Sequence, residues 1–171
     1  MSALKIRCER PEDTDPIRRV NELAFARPNE ADLVDNLRLA RAATLSQVAE
    51  LEGTIAGHIL FSPVTVQSPA GDFSALGLAP LAVLPELQNR GIGSRLVHAS
   101  LVDLRAADHG IVVVLGHPGY YLRFGFLTAS AVGIRWEKVV PEEAFMVLEL
   151  KPGALCGRSG VVRYRPEFDL V

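Results

Sequence analysis

The stretch Leu76-Gly77-Leu78-Ala79-Pro80-Leu81-Ala82-Val83, with the run from Gln88 to Leu115 that follows it, decides the fold class. Its first eight residues are almost wholly apolar, so both faces of an extended segment would be covered, as in a central strand. Pro85 ends that strand. From Leu87 to His109 the apolar period changes to about 3.6. Ile92, Leu96, Ala99 and Val102 are spaced for one buried helix face, and Gly110 supplies a stop. Ile111 to Leu115 is too short and too β-branched for a helix and reads as a strand. Strand, helix, strand predicts a parallel pair joined by a right-handed crossover.

Working toward the start of the chain, Ala43 to Glu50 and Thr54 to Ser62 predict two strands around a Glu52-Gly53 turn. Pro63 to Gly71 reads as a polar loop or frayed strand. Pro11-Glu12-Asp13 opens a helix carrying Ile17, Val20, Leu23 and Ala24 on one stripe. A second helix runs from about Glu30 to Leu39, with Leu33, Val34 and Leu37 on one face. Leu4 to Glu9 alternates as a first strand. Toward the end, Gly119 to Phe124 forms a short helix or turn, and Ala144 to Leu150 and Gly160 to Tyr164 read as late strands. With no repeat and no linker, residues 1–171 are expected to form one α/β domain with a mixed sheet of about six or seven strands flanked by helices.

Composition removes several classes. Lys and Arg number 18 against 20 Asp and Glu, and this net charge of −2 leaves no basic surplus for nucleic acid or anionic lipid. The apolar run from Leu76 to Pro85 is far too short to span a membrane. Met1 to Arg10 lacks the basic-then-apolar order of a leader, so a reduced, cytoplasmic protein is expected. Cys8 and Cys156 are too few for a structural zinc site, and no metal is expected. Cys8 reads as a small buried hydrophobe.

Gln88-Asn89-Arg90-Gly91-Ile92-Gly93-Ser94 lies between a buried strand and a long helix. Amides at a helix start lack internal acceptors, and the helix dipole adds positive character there. Glycines let a phosphate approach the main chain closely. The dinucleotide fingerprint would need glycine where Leu96 stands, and the Gly-Lys-Ser/Thr triplet of nucleotide triphosphate loops is absent. A tight turn without ligand is the plain alternative.

These residues resemble the acyl-CoA-binding motif of the GCN5-related N-acetyltransferase (GNAT) superfamily, Gln88-x-x-Gly91-x-Gly93 after a strand. Tyr121-Leu122-Arg123-Phe124-Gly125-Phe126 follows as a Tyr-x-x-x-Gly-Phe. The likeness extends to the YhbS-like branch of predicted acetyltransferases through Gly57 to Val64, Leu76 to Val83, Leu115 to Phe126 and the tail from Phe145 to Tyr164. The resemblance implies an acyl-CoA N-acyltransferase fold and acetyl-CoA as cosubstrate. It implies that Leu81, Ala82 and Val83 pair with the pantetheine arm, and that Gln88, Asn89, Arg90, Gly91, Ile92, Gly93 and Ser94 hold the diphosphate. Tyr121 would lie near the sulfur and protonate the leaving thiolate, a role a phenol of pKa about 10 can fill when positioned.

The base is harder to assign. Many relatives use a glutamate on strand four, but Leu76 to Val83 holds no acid, and Asp72 lies only near its start. His58 and His117 are candidates because histidine titrates near neutral pH. His117 follows a strand directly, where open α/β sheets place ligands. Water is a further proton acceptor. Tyr120, Phe124 and Phe126 read as structural, Arg123 as an exposed helix residue, and His98 and His109 as surface or capping groups. Glu30 and Asp32 suit the positive end of the second helix. Trp136 and Glu137 are candidates for the rim of an acceptor site. A small-molecule or protein amine is the expected acceptor, and a homodimer is possible. A non-catalytic acyl-CoA-binding or regulatory module, and a transferase using a longer acyl-CoA, are the competing readings.

Overall fold

The computed structural model describes residues 4–171. Met1 to Ala3, part of the segment read for a leader, lie outside them. In chain order the elements are β1 (Lys5–Cys8), α1 (Thr14–Phe25), α2 (Asn29–Leu39), β2 (Leu45–Leu51), β3 (Thr54–Gln67), β4 (Phe73–Val83), α3 (Ile92–Ala106), β5 (Ile111–Leu115), α4 (Pro118–Tyr121), β6 (Leu127–Thr128), β7 (Ile134–Trp136), β8 (Phe145–Glu149) and β9 (Gly160–Arg163). The hydrogen-bonded strand order is β1-β2-β3-β4-β5-β8-β6, with β9 beside β3 and β7 beside β9. The chain forms two compact units.

The first unit comprises residues 4–62, 79–100 and 166–171. β1 pairs antiparallel with β2, from Lys5 opposite Glu50 to Cys8 opposite Gln47. β2 turns into β3 through Glu52 and Gly53, whose φ values of 53° and 78° suit the two-residue turn that follows strand twist. α1 and α2 cover this sheet because their apolar stripes meet it. Ile17, Val20, Leu33, Val34 and Leu37 pack with Val48, Ile55, Leu60, Ala82 and Leu84. At their polar faces Arg18 reaches Asp32 and Asp35, each at 2.8 Å.

The second unit comprises residues 63–78 and 101–165. β4 runs parallel to β5 (Leu76 opposite Val112), β5 antiparallel to β8, and β8 antiparallel to β6. β9 pairs antiparallel with the end of β3 and parallel with β7. Val64, Val66, Ala75, Ile111, Val113, Ala129, Ile134, Phe145, Val147 and Val162 form its core.

Several expectations are corrected. The long helix does not begin at Leu87: Pro85–Leu87 is a 3-10 turn, and α3 starts only at Ile92. It ends at Ala106 rather than at Gly110, and Asp108 carries the left-handed backbone (φ 64°) of the stop. Val102 is 61% exposed, because the buried face of α3 is Ile92, Leu96, Val97, Ser100, Leu101 and Leu104. Of the two readings of Pro63 to Gly71, strand holds as far as Gln67, where Thr65 to Gln67 pair with β9. Cys8 is exposed, since it sits on the edge strand β1. β6 and β7 are strands of two and three residues, too short to show a period, and bring the sheet to nine.

Candidate active site

In the first unit, β4 hands the chain to α3 through a short, exposed passage. Leu84 N–H donates to Ala56 C=O at 2.9 Å, so the end of β4 is still tied to β3. Pro85 then starts the 3-10 turn, closed by Leu87 N–H to Leu84 C=O at 2.8 Å. Gln88, Asn89, Arg90 and Gly91 are all exposed. Asn89 (φ 60°) and Gly91 (φ 80°) both take left-handed backbone, which turns the chain into the helix. Gly91 is the residue type that does so without strain. A side chain there would meet nothing within 4 Å, so the space above it is open. The helical ladder begins with Arg95 N–H to Gly91 C=O at 3.0 Å. The amides of Ile92 and Gly93 precede it and have no acceptor within the helix. Arg90 has no partner among the described residues.

Two contacts that the sequence did not single out hold this passage. Gln88 Nε2 donates back to Val83 C=O at 3.0 Å, which braces the turn against β4. Gly57 on β3 lets α3 lie close: a Cβ there would stand 3.0 Å from Leu96 Cδ1, 3.1 Å from Ala82 O and 3.3 Å from Ile92 Cγ2. A glycine inside a strand pattern is the sequence signal for such an approach. Of the strand residues expected at the pantetheine, Leu81 is half-buried, and Ala82 and Val83 are buried.

His58 lies in the same unit, fully buried. Its Nε2 is 2.9 Å from Ser46 Oγ, which in turn donates to Glu9. Its Nδ1 is 3.2 Å from Asn21 Nδ2. That amide also donates to Ile17 C=O at 3.0 Å, so both contacts are made by its nitrogen and His58 Nδ1 accepts. The ring proton therefore sits on Nε2. Burial pushes the His58 pKa down to about 4, against a smaller opposing pull from Glu9 and with a further push from Arg38. A neutral, sealed imidazole with both nitrogens engaged is a structural group, not an available base. Glu30 and Asp32 are likewise occupied, by Arg27 and Arg18.

In the second unit, β5 ends at Leu115, and His117 caps α4. The His117 side chain is exposed, and its C=O receives Tyr120 N–H at 3.0 Å and Tyr121 N–H at 3.2 Å. Tyr121 is 9% exposed, and its hydroxyl has no partner among the described residues. Burial, aided by Tyr120, raises its pKa well above the usual value near 10, so the phenol is protonated throughout the neutral range. Phe126 is core at 1% exposure, and Arg123 lies over the Tyr120 ring at 4.6 Å. Asp72 accepts Ser68 N–H at 3.1 Å and serves a turn. Trp136 and Glu137 line a cleft of about 240 Å³ with Val139, Val140 and Phe145. Exposed Cys156 and exposed His98 join no cluster of three or more metal-holding side chains among the described residues.

The match to the acetyltransferase (GNAT) domain family runs over residues 5–129. The chain belongs to the GNAT family of acetyltransferases. It is 38% identical to the N-acetyltransferase YhbS of Escherichia coli K12 over 165 residues, 96% of this chain and 98% of that one. The crystal structure of E. coli YhbS in complex with CoA superposes with a TM-score of 0.93 at 36% identity, covering 99% of this chain and 93% of that one. A GNAT-family acetyltransferase from Brucella melitensis in complex with acetyl-CoA gives a TM-score of 0.80 at 39% identity, covering 98% and 99%. No helix among the described residues is long and apolar enough to cross a membrane.

Proposed function

We propose that this GNAT-family enzyme transfers the acetyl group of acetyl-CoA directly to an amine, with residues 1–171 acting as one catalytic domain. The open turn into α3 carries the reading. Its glycine is left-handed, the space above it is empty, and helix-start amides follow. The two solved relatives that hold CoA and acetyl-CoA support it. In this reading the amides from Gly91 onward receive the diphosphate, with Arg90 and Ser94 as further donors. The main chain of Leu81 to Val83 faces the pantetheine arm. The amine nitrogen attacks the thioester carbonyl, the carbon–sulfur bond breaks, and the sulfur leaves with the electron pair. Tyr121 gives its phenolic proton to that sulfur, and His117 takes the proton lost by the amine, directly or through water. The unpartnered hydroxyl of Tyr121 supports its part, and the exposure of His117 supports the other.

β4 holds no Asp or Glu, which favours the second reading of a CoA-binding module without turnover. Calorimetry and thiol release separate the two. Acetyl-CoA binds saturably, and Gly91→Val weakens it roughly a hundredfold, because the side chain strains a left-handed residue and fills the anion's space. A panel of peptide N-termini, lysine, polyamines and amino sugars releases thiol with at least one acceptor, and Tyr121→Phe lowers that kcat by about a hundredfold. Undiminished binding by Gly91→Val removes the diphosphate assignment. Tight binding with no thiol release from any amine favours the module.

A further inference from the structure

Gly116 stands between β5 and the cap of α4, and its backbone is not left-handed, so nothing in its φ demands glycine. Its surroundings do. A Cβ at Gly116 would lie 2.5 Å from Tyr121 Cε2 and 3.0 Å from Tyr121 Cδ2, closer than carbon atoms approach. The backbone has little room to yield, because Gly116 N–H donates to Ala144 C=O at 2.9 Å. The ring is walled elsewhere as well. Tyr120 meets it edge-on at 5.0 Å between centroids, and Phe126 at 5.7 Å. Tyr121 N–H is held by His117 C=O. A side chain at position 116 is therefore accommodated by moving the phenol.

We propose that Gly116 is the positioning residue for Tyr121: its missing side chain is the seat of the ring and sets where the hydroxyl stands during acyl transfer. This rests on the reading of Tyr121 as proton donor to the thiolate. Misplacing a reacting group by about an ångström is enough to slow a step by orders of magnitude, while cofactor binding by other residues is untouched.

The test pairs steady-state kinetics with a thermal double-mutant cycle on the full chain. Gly116→Ala lowers kcat roughly tenfold or more and leaves the KM for acetyl-CoA within about twofold. It also lowers Tm, although Gly→Ala at a compatible φ ordinarily raises stability. In a Tyr121→Ala background, where the ring is gone, the same change costs no Tm. If Gly116→Ala alone is insoluble, recovery of soluble protein on adding Tyr121→Ala is the same positive result. Unchanged kcat and Tm in Gly116→Ala overturn the proposal, as does an equal loss of Tm with and without the ring. Tyr121→Phe keeps the two ideas apart. If it retains full kcat, the proton-donor role fails, while the thermal cycle still reports whether Gly116 seats the ring.

Discussion

Two groups of polar residues in the first unit are treated in opposite ways. Around His58 every ring nitrogen is satisfied and sealed from water, and Glu9 and Arg38 close the chain of contacts at the rim. At the mouth of α3 the residues from Gln88 to Gly91 are exposed, and the helix-start amides have no internal acceptor. Buried and satisfied polar groups stabilise one arrangement and are spent in doing so. Exposed and unsatisfied ones remain free to bind a ligand. Of the two histidines the sequence offers as bases, His58 is thus scaffold, and a loop with little side-chain chemistry is the proposed binding element.

The sharpest way to break this contrast is pH. His58 is neutral when folded and has a pKa near 6.5 when unfolded, so the unfolded chain binds the extra proton. Its contribution is present in full above about pH 6.5 and is lost as pH falls toward 4, to a total of about 3 kcal/mol. Urea unfolding between pH 7 and 4.5 shows that decline, and a His58→Gln variant lacks it. Carboxylates with lowered pKa, Glu9, Asp13 and Glu50 among them, lose their contribution as pH falls through their unfolded values of 4.5 and 3.8, so they overlap only the acid end of this window, and the His58→Gln variant retains their share. A wild-type profile flat from pH 7 to 4.5 means that His58 is already accessible.

Gly57→Val tests whether the open mouth depends on close packing beneath it. Its Cβ presses on Leu96 and on the carbonyl of Ala82, so the change costs about 2 kcal/mol by overpacking and weakens acetyl-CoA binding as the start of α3 shifts. Thermal unfolding and calorimetry read the two effects, and full affinity with lowered Tm uncouples them. The smallest effect is expected from Gln88→Leu. Losing the bond to Val83 C=O costs about 1 kcal/mol, seen as a KM for acetyl-CoA raised about fivefold with kcat unchanged. An unaltered KM means that the brace is ornamental.

Much of the fold was readable because periodicity is a local property. The parallel pair β4–β5 and the two N-terminal helices stand where the apolar spacing puts them, a helix does lie between β4 and β5 though shorter than expected, and the Glu52-Gly53 turn stands where its residue types put it. A glycine turn at the mouth of α3 was legible from residue type and position, and the structure adds that Gly91 is left-handed there. The start of α3 was not, because Leu87 continues the apolar rhythm while Pro85 imposes a tighter turn. Cys8 misled because an apolar residue in a strand looks buried until the strand proves to be an edge.

What the amino-acid order determined by itself is the family, the order of the longer elements and the exposed glycine turn where the diphosphate site is proposed, since each depends on neighbours within a turn or two. What only tertiary structure decided is the fate of individual side chains. His58 is silenced by Ser46 and Asn21, Gln88 turns back to Val83, and Tyr121 is seated on Gly116. Burial and hydrogen-bond partners outside the local stretch control whether a polar group is reactive, and no spacing rule carries that information.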